Sequence, residues 1–190
     1  MQLTNRLEQA IRVAAKAHRE QTRKGTGVPY ITHPFSVMCI AQTVTNDEDT
    51  LIACLFHDIL EDVPDKYPEQ QMRLEFGDNV VSIVKAVTKN DQIDDWHERC
   101  KAYLQQLSEV KSKNAIIVAC ADKIHNLMTT LADYEVQGDE IWKIFSTGKE
   151  AQLWWYESVR ELIAKRSPQL PLLAQLDNLI AQLQQVVLDE

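Results

Sequence analysis

Residues 113–134, KNAIIVACADKIHNLMTTLADY, decide the fold. The run AIIVAC at 115–120 would suit a buried strand, but ADKIHNL extends it with apolar residues at three- and four-residue spacing, so the stretch reads as one helix. Its first two turns carry no polar face, which predicts a buried central helix. The same spacing recurs on both sides. Residues 3–23 read as a helix with Leu7, Ala10, Ile11, Ala14 and Ala17 on one stripe, broken by the loop KGTGVPYIT. Pro34 suits the first position of a second helix running to about residue 44. TNDEDT caps a third, 51–63, with acids in the first turn where the helix dipole favours them. Further helices are expected at 69–76 (ended by Gly77), 79–89, 93–107, 141–165 with Gly148 as a break point, and 172–188. Hairpin signals, internal repeats and low-complexity tracts are lacking. The expectation is an all-α bundle of about eight to ten helices, with residues 1–190 as one domain.

Composition narrows the function. With 28 acidic and 20 basic residues the net charge is −8, which argues against binding a nucleic-acid polymer. A small anionic substrate would need a local basic patch, or a metal that reverses the sign at one spot. No apolar run approaches the roughly 18 residues that span a bilayer. Met1 to Gln9 is polar, without the apolar stretch of a secretory signal, so a soluble cytoplasmic protein is expected. Cys39, Cys54, Cys100 and Cys120 form no close pair; three lie in apolar stretches (SVMCIA, IACLF, IVACA) and read as free, buried thiols.

Chemistry concentrates in three places. His57-Asp58 lies inside the third expected helix, with Glu61 and Asp62 at i+3 and i+4 from Asp58, so three carboxylates share a face with an imidazole at its edge. Such a turn is either a solvated acidic face or the flank of a cation. His33 precedes Pro34 at a helix start, a position that also suits a cap or a surface residue. In ADKIHN, Asp122, His125 and Asn126 put one polar face on the most apolar helix. A buried Asp122 needs a partner, either an ion pair from another helix or a metal, and Lys123 is expected to point elsewhere. Taken together, His33, His57, Asp58 and Asp122 can supply four ligands to one divalent ion and leave positions open. That mixed set suits a hydrolytic Mn²⁺, Fe²⁺ or Zn²⁺ better than a closed structural zinc.

His33, His57-Asp58 and Asp122 resemble the H…HD…D signature of the HD superfamily of metal-dependent phosphohydrolases. More narrowly, AHREQTRKGTGVPYITHPFSV, ACLFHDILEDV, FGDNVVSIVKAVTK and ACADKIHNLMT are similar to the hydrolase domain of RelA/SpoT proteins and to stand-alone small alarmone hydrolases. FSTGKEAQLWWYESVREL is similar to the tail of the stand-alone enzymes, so the likeness covers about residues 1–163. It implies an HD-type helical bundle and one Mn²⁺ held by His33, His57, Asp58 and Asp122. It further implies a catalytic pair at Glu61 and Asp62, and Arg23 and Lys24 packing on the base and contacting phosphate. Asn126 and Thr129 fall at positions lining the nucleoside pocket, while His18 and His125 match motifs without filling ligand positions. The implied reaction is hydrolysis of the ribose 3′-pyrophosphate of (p)ppGpp-like alarmones to GDP or GTP and diphosphate, with no room for a synthetase domain. Val63, Lys123 and Met128 depart from the common family pattern of threonine, arginine and arginine. Rivals are an HD phosphohydrolase for another nucleotide, such as (p)ppApp or a nucleoside 5′-phosphate, a catalytically silent nucleotide-binding regulator, and a metal-free helical scaffold.

Overall fold

The computed structural model describes residues 2–188. The 113–134 stretch is a helix, as its spacing demands, and extends three residues further, Lys113–Gln137 (the seventh helix, α7). From Ala115 to Leu127 almost every residue is buried, Ala119, Cys120, Ala121 and Ile124 fully so. Around it pack α2 (Thr32–Gln42), α3 (Glu48–Phe56), α5 (Glu69–Val87), α8 (Gly148–Arg166) and α9 (Leu172–Leu188). The remaining elements are α1 (Asn5–Ala17), which lies on α3, the one-turn α4 (Ile59–Asp62), α6 (Trp96–Glu109) and a 3₁₀ segment, Gly138–Ile144. The described residues thus form an all-α bundle. One isolated bridge, Thr22 to Pro29, stands outside the helices. No helix among them is long and apolar enough to cross a membrane.

Departures from the expected boundaries have local causes. The first helix stops at Ala17 rather than 23: the His18 amide donates to Ala14 O at 3.0 Å with non-helical dihedrals, and its Nδ1 turns to the Gln21 side chain. Beyond it the chain folds back in a narrow loop that includes the expected glycine segment but begins several residues earlier, at Gln21. Arg23 N–H donates to Val28 O at 2.7 Å and Tyr30 N–H to Gln21 O at 2.9 Å. Gly25 (φ +82°) and Gly27 (φ +69°) make the reversal, in a region L-residues avoid. Arg23 and Lys24 therefore sit on this loop and not at a helix end.

The third helix, expected to run unbroken over 51–63, stops at Phe56 and restarts at Ile59. The Cys54 carbonyl, which an unbroken helix offers to the Asp58 amide, accepts a hydrogen bond from His57 Nδ1 at 2.8 Å. That competition breaks the ladder at the His57-Asp58 pair. Gly77 (φ +87°) turns the chain within α5, where one helix was expected to end and another to begin. Cysteine burial differs from expectation at one position: Cys39 is exposed on α2, while Cys54, Cys100 and Cys120 are buried. All four thiols are free.

Candidate functional site

Three helical segments bring the four expected ligand residues to one buried point. His33 comes from the start of α2, His57 and Asp58 from the α3–α4 break, and Asp122 from the middle of α7. His33 Nε2 faces His57 Nε2 at 3.1 Å, Asp58 Oδ2 at 3.3 Å and Asp122 Oδ1 at 3.3 Å. His57 Nε2 lies 3.0 Å from Asp58 Oδ2 and 3.6 Å from Asp122 Oδ1. His33, His57 and Asp58 offer donor atoms all within 4.8 Å of one another, and Asp122 stands outside that tighter group while facing both rings. The helix break is what turns His57 and Asp58 towards the same point.

The charges are mutually dependent. Burial opposes ionisation of Asp58, yet His57 and His33 hold its carboxyl well below the usual range. Burial likewise opposes a charged His57, but Asp58 and Asp122 hold the ring well above its ordinary value. Asp122 is held low against burial by Lys123 first, then by the two histidines. Lys123 does not point elsewhere: its Nζ lies 2.5 Å from Asp122 Oδ2, and the lysine is almost fully buried. Neighbours on a helix diverge by about 100° at Cβ, but the flexible lysine stem bends back across that angle.

The donor set fits a divalent cation. His57 Nδ1–H is spent on Cys54 O, so its Nε2 presents a lone pair to the pocket when the ring is neutral. Behind His33, Nδ1 meets His125 Nδ1 at 2.7 Å. Burial, with His33 and Arg23 beside it, pushes His125 down to about 4, so that ring is neutral and can accept the His33 proton, leaving His33 Nε2 free to ligate. Two imidazole nitrogens and two carboxylates at such spacing repel unless a cation or protons lie among them. An N/O set of this kind matches Mn²⁺, Fe²⁺ or Zn²⁺.

Next to this pocket opens a cleft of about 780 Å³, a volume in the ordinary range for small-molecule sites. Glu61, Asp62, Arg23, Lys24, Asn126 and Thr129 all line it. Arg23 NH2 donates to Asn126 Oδ1 and to Thr129 Oγ1, both at 3.1 Å, so three of the four expected substrate residues form one network, with Lys24 exposed beside it. Asn126 Nδ2 donates in turn to Asp122 Oδ1. Glu61 accepts from the Lys89 amide at 3.0 Å. Asp62 keeps an exposed flank at the cleft mouth, but burial of its inner side and then Asp58 and Glu61 push its carboxyl up to about 6. His18 lies behind Tyr30, ring centroids 5.0 Å apart, and makes no direct contact with the donor atoms.

Several residues went unread in the sequence. Tyr30 donates its hydroxyl to Asp58 Oδ2 at 2.7 Å while Arg23 lies over its ring at 5.8 Å, so it joins the cleft to the buried pocket. Its place three residues before His33 was the available signal. Lys89, Arg99 and Lys123 also line the cleft, the two lysines over the rings of Tyr103 and Trp155, an assembly that only the tertiary fold reveals.

The chain also has relatives among known proteins. SpoT of Escherichia coli K12, a bifunctional (p)ppGpp synthase/hydrolase, is 38% identical over 129 residues, covering 65% of this chain and 18% of its own length. A guanosine-3′,5′-bis(diphosphate) 3′-pyrophosphohydrolase of Aquifex aeolicus is 35% identical over 124 residues, covering 65% and 17%. The chain thus spans less than a fifth of the length of these curated relatives. Among solved structures, a metazoan ortholog of SpoT that hydrolyses ppGpp superposes with a TM-score of 0.79 over 96% of this chain and 97% of its own, at 23% identity. A Listeria monocytogenes protein superposes at 0.70 over 83% and 99%, at 25% identity. The model of the HD domain family matches residues 10–147, a span that holds all four residues meeting at the buried point, and the chain accordingly belongs to the HD domain family.

Proposed function

We propose that this protein is a metal-dependent phosphohydrolase that removes the 3′-pyrophosphate of (p)ppGpp-like alarmone nucleotides. The observation that carries the reading is the joining of two half-sites: the Arg23–Asn126–Thr129 network opens on the cleft, and Asn126 links it directly to Asp122 at the buried point. The names of the relatives, 3′-pyrophosphohydrolase and (p)ppGpp synthase/hydrolase, support the substrate. One ion, Mn²⁺, would be held by His33, His57, Asp58 and Asp122, with the cytoplasm as the setting. When bound, such an ion supplies Lewis acidity and makes a water molecule more acidic.

The chain's own residues do the rest. Arg23 and Lys24 take up the nucleotide and offset its negative charge, which a surface of net charge −8 would otherwise repel. Glu61, fixed by the Lys89 amide, orients the attacking water. Asp62, with a carboxyl poised at about 6, accepts a proton from that water near neutral pH and can return it. Water oxygen bonds to the phosphorus borne by the ribose 3′ oxygen, the P–O3′ bond breaks, that oxygen takes a proton, and diphosphate leaves with GDP or GTP as the other product.

Turnover of ppGpp, pppGpp, ppApp and ordinary 5′-nucleotides by purified protein tests the proposal. Expected is release of diphosphate from the 3′-substituted nucleotides, abolished by chelation and restored by Mn²⁺. Hydrolysis confined to 5′-nucleotides, or binding of ppGpp with no turnover at any metal concentration, would overturn it.

A further inference from the structure

The Asp62 carboxylate is held from one side. Its Oδ2 accepts from Gln21 Nε2 at 3.4 Å, and among the described residues no other side chain donates to it and no cation stands within 4.0 Å. Tyr30 lies close by, but its single hydroxyl proton goes to Asp58. The other end of the Gln21 amide is held as well: Oε1 meets Nδ1 of His18, a ring only 1% exposed. The Gln21 backbone is tied on both sides, its N–H donating to His18 O at 3.0 Å and its carbonyl accepting from Tyr30 N–H at 2.9 Å.

An amide side chain has two faces, and a half-turn exchanges its donor for its acceptor. Turned one way, Gln21 offers an N–H to Asp62. Turned the other way, it sets a carbonyl oxygen against a carboxylate, and the two repel. His18 selects the first orientation if Nδ1 carries the ring proton, because Oε1 can only accept. Nε2 of a neutral ring is then a bare acceptor, and the structure bears that mark: His18 Nε2 is buried with no hydrogen-bond partner among the described residues. An unmet buried acceptor costs stability. A second ring proton does not relieve it, since burial above all, with His57 and His33 nearby, pushes His18 below its ordinary value.

We propose that His18 and Gln21 are positioning residues for Asp62: the buried ring fixes the direction of the Gln21 amide, and the amide holds one carboxylate oxygen and leaves the other to the attacking water. The inference rests on the function proposed above, in which Asp62 handles a proton. It gives neither residue a contact with the reacting atoms, so the whole effect passes through Asp62.

The test uses Gln21→Glu and His18→Phe. Glutamate keeps the length and the acceptor for His18 but turns an oxygen towards Asp62; phenylalanine keeps a ring against Tyr30 and removes the proton that fixes the amide. Each should lower kcat for ppGpp by about tenfold or more, the scale of a misplaced catalytic group, with KM within about twofold and bound metal unchanged. In an Asp62→Asn background the same changes should cost less than about twofold, because the group they act through is gone. Losses that multiply independently of Asp62, or a raised KM at unchanged kcat, overturn the proposal. Nitrogen NMR of wild type in chelator checks the chain without turnover. His18 should carry its proton on Nδ1, and the Gln21 amide resonances should respond to Asp62→Asn; an Nε2–H ring overturns the assignment even where a variant fails to fold. If wild type turns over no alarmone, the proposed function fails by itself, and the NMR result still decides the hydrogen-bonded chain.

Discussion

Replacing Lys123 with methionine removes an ammonium 2.5 Å from Asp122 Oδ2 and keeps most of the stem over Tyr103 and Trp155. The two side chains retain 4% and 11% of their exposure, so water does little to screen the loss. Removing one partner of a buried pair costs about 3–5 kcal/mol, because the other charge is left uncompensated. Here Asn126 Nδ2 and the His57 ring still face Asp122, which places the metal-free protein near the lower end, about 3 kcal/mol. For a chain of this size that is roughly 6–12 °C in Tm. A divalent ion bound at Asp122 supplies the charge that lysine supplied, so the ion-loaded variant should lose only about a third as much. Circular-dichroism melts of both proteins, in chelator and in saturating Mn²⁺, measure the difference. Equal losses in the two conditions would refute the reasoning, since Asp122 would then not be the group that the ion and the lysine share. An unchanged melt in chelator would refute the buried pair itself.

Other expectations follow from the same geometry. Glu61→Gln and Asp62→Asn should retain metal and lower the single-turnover rate by about 10²-fold, whereas Asp58→Asn should lose metal and rate together; metal loss in the first two would make them ligands or supports. His57 holds its proton above the ordinary value near 6.5 in the metal-free protein, so an ion must displace that proton. Ion affinity should therefore climb with pH from about 6 upward until that raised value is passed, with proton release seen in calorimetry across buffers, and a flat profile would contradict it. The same shift stabilises the metal-free fold below about 6.5 and is lost as pH rises through the raised value, so chelated protein should melt earlier at alkaline pH. Tyr30→Phe removes the hydroxyl on Asp58 and should weaken ion affinity by about tenfold while the fold persists; unaltered affinity would reduce Tyr30 to a packing residue.

Hydrophobic spacing read the helices well wherever burial sets them. The terminal helix 172–188 and the start of α7 fall where the sequence put them, and Gly77 and Gly148 punctuate the chain as expected. Periodicity could not see the break at His57-Asp58, because a side chain there competes for a backbone carbonyl, and that contest leaves the apolar pattern intact. The four residues of the buried point were legible because each is a costly polar group beside apolar sequence. Lys123 was misread because an ideal helix was assumed for a side chain long enough to ignore it. Lys89 carries no local signal at all, since its setting depends on Tyr103 of α6 and Trp155 of α8. Cys39 proved exposed for a similar reason: flanking apolar residues do not say which side of a helix faces inward.

The amide of Asn126 touches both halves of the cleft, accepting from Arg23 and donating to Asp122. A nucleotide that recruits Arg23 loosens that amide from its first partner and changes its hold on the second. Occupancy of one half is thus felt as free energy in the other, and by linkage the factor is the same in both directions. An ion titrated at increasing nucleotide concentrations would bind with a shifting affinity, and the nucleotide would return an equal shift. Abolishing that reciprocity with Asn126→Ala, while each ligand still binds alone, would locate the coupling in a single side chain.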